Sequence, residues 1–174
     1  HYPYRQAWTA QALLRRKSTL SAGNLLYYGL DFDGDSIDSN NLGRHARNWG
    51  SGYVDLDLRR WKRATFSLGA REEIISGGHD VFSPDVAASY WILPTLKARA
   101  SAGYGFRLPT YTDLYYSDPT TVGNSMLKPE SAWDYEGGFD WYPHRSLAVS
   151  VTGFYSPQTN FIDYVRASPQ DKWQ

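Results

Sequence analysis

Three groups of residues in this chain could do chemistry. The first is the acidic run Asp31-Phe32-Asp33-Gly34-Asp35-Ser36-Ile37-Asp38 at a strand end. Several carboxylates on one loop can bind Ca²⁺ through oxygen, and Asp31, Asp33 and Asp35 are the candidate ligands. The run is not an EF-hand: glycine stands at its fourth position rather than the sixth, and no Glu closes it. A solvated acidic loop is the competing reading. The second group follows Phe106. Arg107 can reach a carboxylate or a phosphate from a rim. Tyr111, Tyr115 and Tyr116 are loop aromatics of the kind that grip a bulky ligand. With Asp113 these five are the candidate ligand-binding residues. The competing reading is that they shape the loop backbone or anchor it at an interface.

The third group supplies no catalyst. His1, His45, His79 and His144 lack the HExxH spacing of a zinc site. Gly50-Ser51-Gly52 lacks the spacing of a nucleophile elbow, and Gly103-Tyr104-Gly105 leads into no helix. Asp55/Asp57 and Glu72/Glu73 could suggest a glycosidase pair, but Asp55 and Asp57 fall on a face where polar residues are expected anyway. The chain reads as a non-enzyme with no cofactor beyond the possible loop Ca²⁺.

The elements that must position these residues are strands. Gly52, Val54, Leu56 and Leu58 alternate with Tyr53, Asp55, Asp57 and Arg59. The same period of two runs through 64–71, 96–106, 133–142 and 147–155. Three less regular strands fall at about 7–16, 25–33 and 81–92, the last with Pro84 near its start, where a missing N–H is tolerable. That makes about eight strands of roughly 9–11 residues, the length a tilted strand needs to cross a bilayer. No segment has a convincing helical period. Connections at 60–63, 93–95 and 143–146 are short, whereas 34–48 and 107–131 read as long loops and 76–80 as intermediate. Short turns at one end and long loops at the other are the pattern of an outer-membrane barrel.

Composition agrees once the period is known. The 174 residues leave room for one domain or part of a larger one. Lys+Arg and Asp+Glu are both 18, which gives no basic excess for a nucleic-acid partner. Cysteine is absent, so there is no disulfide frame or thiolate site. A mean hydropathy of −0.56 and no long apolar run exclude a transmembrane helix. Yet 7 Trp, 14 Tyr and 7 Phe make 16% aromatics. Many of them, Tyr27, Tyr28, Trp49, Tyr53, Trp61, Tyr90, Trp91, Tyr104, Phe106, Trp133, Trp141 and Tyr142, fall at strand ends, where girdles at the two membrane boundaries are expected. No Met or signal peptide opens the chain at His1, and 168–174 reads as a polar loop, so both ends read as cut.

The stretch Gly105-Phe106-Arg107-Leu108-Pro109-Thr110-Tyr111-Thr112-Asp113-Leu114-Tyr115-Tyr116 is followed by Gly123-Asn124-Ser125-Met126-Leu127-Lys128-Pro129-Glu130 and then Trp133-Asp134-Tyr135-Glu136-Gly137. This multi-part pattern resembles the barrel of TonB-dependent outer-membrane receptors, most closely the vitamin B12 and iron-chelate type. Ser125-Met126 departs from the family's usual residues without disturbing the frame. Ile162-Asp163-Tyr164 also looks like the family's next strand. The resemblance implies an all-β, antiparallel up-and-down transmembrane barrel of 22 strands, of which residues 1–174 are a fragment without the plug domain and the C-terminal strands. It implies energised uptake of a bulky scarce nutrient such as an iron-siderophore or cobalamin. The partners it implies are outer-membrane lipid, the protein's own plug, the TonB complex and a small-molecule metal chelate. Residues alone also leave open a complete small eight-stranded outer-membrane barrel, as an adhesin or enzyme, and a soluble carbohydrate-binding β-sandwich.

Overall fold

The computed structural model describes residues 5–166, 168 and 171–173; His1 lies outside them. Eight long strands run in chain order through one antiparallel meander: β1 Arg5–Thr19, β2 Leu25–Ser39, β3 Gly43–Leu58, β4 Ala64–Ile75, β5 His79–Leu93, β6 Leu96–Arg107, β7 Glu130–His144 and β8 Leu147–Tyr155. A short β9, Gln158–Thr159, returns to pair with Ala132 and Ser131 of β7. Among the described residues there is a single sheet and no second layer, which is not a β-sandwich. Among the described residues β1 and β8 are not paired with each other, so the sheet is open and is not a complete eight-stranded barrel.

The register converts the sequence alternation into two faces. Directly opposed residues share a side, and Leu26, Leu56, Leu68, Val86, Ala102 and Tyr135 stand in one row. The neighbouring row is Tyr27, Asp55, Gly69, Asp85, Gly103 and Asp134, on the other side. The apolar face is not packed. Ile75 is the one buried hydrophobic residue among those described, while Leu14, Ile74, Phe82 and Val151 are each more than half exposed. A sheet with a clean apolar face and no core belongs in a medium that covers that face, which is the design of a membrane barrel wall. The polar face is the interior. Several of its arginines are paired with carboxylates: Arg71 with Asp31 at 2.8 Å and Glu73 at 2.6 Å, Arg99 with Asp140 at 3.3 Å, and Arg59 with Asp57 at 2.9 Å.

Aromatic pairs mark the ends of the apolar band. Trp61 meets Phe66 edge-on at 5.4 Å near the short-turn end, and Tyr104 meets Trp133 at 5.5 Å near the other. Tyr27, Trp49, Tyr53 and Trp91 depart from the girdle expectation. They stand opposite Lys17, Asp33, Arg71 and Lys97 on the interior face.

Several other expectations change. The strands β1 to β7 have 12 to 16 residues, longer than a bilayer requires. Residues 34–48 are not a long loop: β2 and β3 continue upward as a hairpin closed at 40–42. The irregular alternation past Asp33 concealed that extension. The β4–β5 connection is also tight, and Gly77 and Gly78, at φ of 104° and 86°, supply the left-handed backbone it needs. The asymmetry of the two ends therefore rests on 108–129 together with the raised β2–β3 hairpin. Pro84 sits well inside β5, on the residue before the β5–β6 ladder ends at Asp85 and Gly103, so its missing N–H has no β6 partner to serve. Ile162-Asp163-Tyr164 is outside any strand; the return pairing is at β9 instead.

Candidate functional site at the outer rim

The loop after β6 is built from local rules that were readable in part. Pro109 ends the strand geometry, and Thr110 caps a one-turn helix, α1 (Tyr111–Tyr115). This is a reciprocal capping box: Asp113 N–H donates to Thr110 Oγ1 at 3.1 Å, and Thr110 N–H donates to Asp113 Oδ2 at 2.9 Å. A helix here departs from the all-strand expectation because capping, not periodicity, creates it. Asp118 then organises a tight turn, accepting from the N–H groups of Thr120 and Thr121, both at 2.6 Å, and from Tyr116 Oη at 2.9 Å. These bonds hold the Asp118 carboxyl low, at about 2. The chain comes back against α1 at Gly123, whose N–H donates to Tyr116 O at 2.7 Å. A Cβ on Gly123 would stand 2.8 Å from Asp113 O and 2.9 Å from Leu114 C, so only glycine fits. Arg107 and Glu130, opposed at the base of β6 and β7, close the excursion with a 2.5 Å ion pair.

The loop does not stand free. It reaches past β4 and β5 and docks on the raised β2–β3 hairpin. Arg47 of β3 donates from Nη1 to Pro109 O at 2.7 Å and pairs through Nη2 with Asp35 Oδ2 at 3.1 Å. Tyr111 Oη donates to Asp35 Oδ1 at 2.6 Å, and the Arg47 guanidinium lies over the Tyr111 ring, 4.6 Å from its centroid. Burial, then the Asp35 carboxylate, push the Tyr111 phenol up to about 12. Beside this, His45 stacks face to face on Tyr115 with centroids 3.6 Å apart, while His45 Nε2–H donates to Leu42 O at 2.7 Å. Ser117 N–H donates to Asn41 Oδ1 at 3.4 Å. The loop is a strap across the rim, fastened by one carboxylate, one guanidinium and stacked rings.

The expected ligand residues thus all lie in or beside the strap, with different duties. Asp113 caps α1, Tyr116 bonds Asp118, Arg107 holds Glu130 and Tyr111 fastens the strap. Tyr115 packs one face on His45 and keeps 36% of its surface exposed. Met126, at 86%, is the most exposed large apolar side chain of the loop. Asp31, Asp33 and Asp35 lie on β2 rather than on a loop. Asp31 and Asp35 are engaged by Arg71 and Arg47, and no metal-holding group of three or more His, Asp or Glu gathers among the described residues. Sequence reading missed Asp35's fastening role, Arg47, His45 and Asn41. The usable signal was the period of two running upward from Trp49 through Arg47 to His45.

An open meander with an apolar outer face, a charge-paired inner face and a strapped rim defines a segment of a membrane β-barrel wall. Residues 2–174 match the family model described as TonB dependent receptor-like, beta-barrel, and the chain belongs to that family, whose members are outer-membrane proteins. It is 36% identical over 91 residues to the vitamin B12 transporter BtuB of Photobacterium profundum, covering 51% of this chain and 14% of that protein. It resembles the siderophore receptor PirA of Pseudomonas aeruginosa with a TM-score of 0.79 at 15% identity, over 98% of this chain and 34% of that one. The ferric enterobactin receptor PfeA of the same species gives 0.73 at 16% identity, over 88% and 27%. At such identities the likeness is of fold. The chain spans about a seventh of the transporter's length and about a third of PirA's.

Proposed function

We propose that this chain forms part of the wall and mouth of a receptor that takes up a bulky, scarce metal chelate, cobalamin or an iron–siderophore complex, with energy supplied through TonB. The observation that carries this reading is the strap. A loop pinned along the rim to the raised β2–β3 hairpin by Asp35, Arg47 and Tyr111 presents Tyr115 and Met126 at the outer end of the wall. Aromatic and thioether surface suits a large, partly apolar ligand. The interior face, lined with paired arginines and carboxylates, suits a polar plug rather than an apolar filling. The outer face would meet lipid.

The sequence likeness to a protein named as a vitamin B12 transporter makes cobalamin the first substrate to try. The full gene product would be expressed in cells stripped of their own receptors, and uptake of labelled cobalamin and ferric enterobactin followed with and without TonB. TonB-dependent accumulation of either is expected. Recovery of the product in the soluble fraction, or uptake indifferent to TonB, overturns the proposal.

A further inference from the structure

The short-turn end of the wall is basic. Its connections at 20–24, 59–63, 94–95 and 145–146 hold four Arg and one Lys and no Asp or Glu. The long loop at the opposite end, 108–129, holds Asp113 and Asp118 against Lys128. The chain as a whole is neutral, so the excess comes from placement. Four of the five cations, Arg59, Arg60, Lys62 and Arg63, stand in the β3–β4 turn around Trp61, and every residue of that turn is exposed. Arg59 is engaged: its guanidinium pairs with Asp57 at 2.9 Å, and its backbone N–H donates to Asn24 Oδ1 at 2.9 Å. Trp91 N–H donates to Arg63 O at 2.8 Å. The turn is therefore held on one side to the start of β2 and on the other to β5. The side chains of Arg60, Lys62 and Arg63 take part in no ion pair, hydrogen bond or ring contact of the described residues.

Trp61 decides which side of the turn these charges serve. Its ring meets Phe66 edge-on at 5.4 Å, and Phe66 stands opposite Leu58 and Ala88 on the apolar face. Half of Trp61 is exposed, as is about half of Tyr90, which stands opposite Ala64 on the same face, one step nearer the turn. Rings so placed suit the boundary between hydrocarbon and headgroups. The three cations beside them repel one another and have no anion to neutralise them. A soluble anion or an acidic protein would answer the charges but leave Trp61 and Phe66 uncovered. A phospholipid answers both, with its phosphate toward the cations and its glycerol and upper acyl chain against the rings. A headgroup that carries an amine neutralises its own phosphate, so a headgroup without one fits best.

We propose that the β3–β4 turn binds the phosphate of an anionic, amine-free phospholipid in the leaflet at the short-turn end, through Arg60, Lys62 and Arg63, with Trp61 and Phe66 packed against the lipid's glycerol and upper acyl chain. The inference rests on the outer-membrane reading of the wall but not on any transported substrate. It belongs to this turn and not to the wall in general: 20–24 and 94–95 carry no cation, and 145–146 carries only Arg145.

The full gene product would be reconstituted in phosphatidylcholine bilayers containing either phosphatidylglycerol or phosphatidylethanolamine as a minor lipid. Lipid retained after extraction in mild detergent would be counted by native mass spectrometry. A cation at an anionic surface contributes about fivefold, so the wild type should retain phosphatidylglycerol roughly tenfold or more above phosphatidylethanolamine. The triple change Arg60→Gln, Lys62→Gln and Arg63→Gln should erase that preference. Trp61→Ala, which keeps every charge, should also weaken retention of phosphatidylglycerol. Arg44→Gln, at the opposite end of β3, should leave it unchanged. Heat-modifiable migration on gels establishes that each variant is a folded barrel, which keeps a failure of this site distinct from a failure of the barrel reading. Equal retention of the two lipids by wild type overturns the proposal. So does a triple variant that keeps the preference, or a loss in Arg44→Gln as large as in the triple variant. Undiminished retention in Trp61→Ala, or displacement of the lipid by inorganic phosphate at constant ionic strength, would mark a site for a soluble anion and overturns it as well.

Discussion

Replacing Tyr111 by Phe removes one hydroxyl and tests whether the loop is a fastened strap. The ring stays, and with it the stacking of Arg47 over its face. Asp35 keeps its Arg47 bonds. What is lost is the 2.6 Å bond from Tyr111 Oη to a carboxylate. Hydrogen bonds to charged groups contribute about 1.5–3 kcal/mol, and a half-buried rim site belongs at the low end. A loss of about 1.5 kcal/mol raises the detached population roughly tenfold. Hydrogen exchange on the receptor in bilayers reads this directly. The amides of Leu114 and Tyr116, which donate to Thr110 O and Thr112 O, should exchange about tenfold faster while the β3 and β4 ladders are unmoved. The same bond carries a pH dependence. The folded phenol lies near 12, above the ordinary value of 10.0. Its contribution is therefore complete below about 10 and disappears as pH rises through about 12. Wild-type protection of α1 should fall in that alkaline window, and the Phe variant should lack the step. Protection unchanged by the substitution, or lost equally in the whole sheet, would refute the strap.

Other consequences follow from the same geometry. Arg71→Leu leaves the 4%-exposed Asp31 side chain as a buried charge without its partner, and should lower stability by about 3 kcal/mol in urea-induced unfolding from bilayers. The double change Arg71→Leu with Asp31→Leu should recover most of that loss. Gly123→Ala forces a methyl group against the α1 backbone and should cost about 1–3 kcal/mol, read as accelerated proteolysis confined to 108–129. The Asp118 carboxyl, held near 2 by its donors, contributes to the turn fully above the ordinary 3.8 and loses that contribution as pH falls through about 2. Amide exchange at Thr120 and Thr121 should lose protection over that acid range, and Asp118→Ala should show none of it.

The sequence by itself determined the two faces, because a strand's side chains alternate with a period of two and every slip would exchange lipid for lumen. From Gly52 to Arg59, and again from Trp133 to Trp141, the alternation read from composition is the alternation of the register. The loop pattern around Arg107, Gly123 and Glu130 was equally legible, and its residues serve capping, close approach and a cross-strand ion pair, all local needs written within a few positions or across one strand pair. Tertiary structure decided the rest. That β2 and β3 rise past Asp33 and Trp49 depends on cross-strand pairing, which an irregular alternation cannot announce. That Tyr111 serves Asp35, and Arg47 serves Pro109, joins residues 76 and 62 positions apart. Such bonds arise only when the meander has curved enough to bring its third strand and the exit of its sixth to one rim. No local propensity encodes that distance; the accumulated twist and register of the intervening strands do.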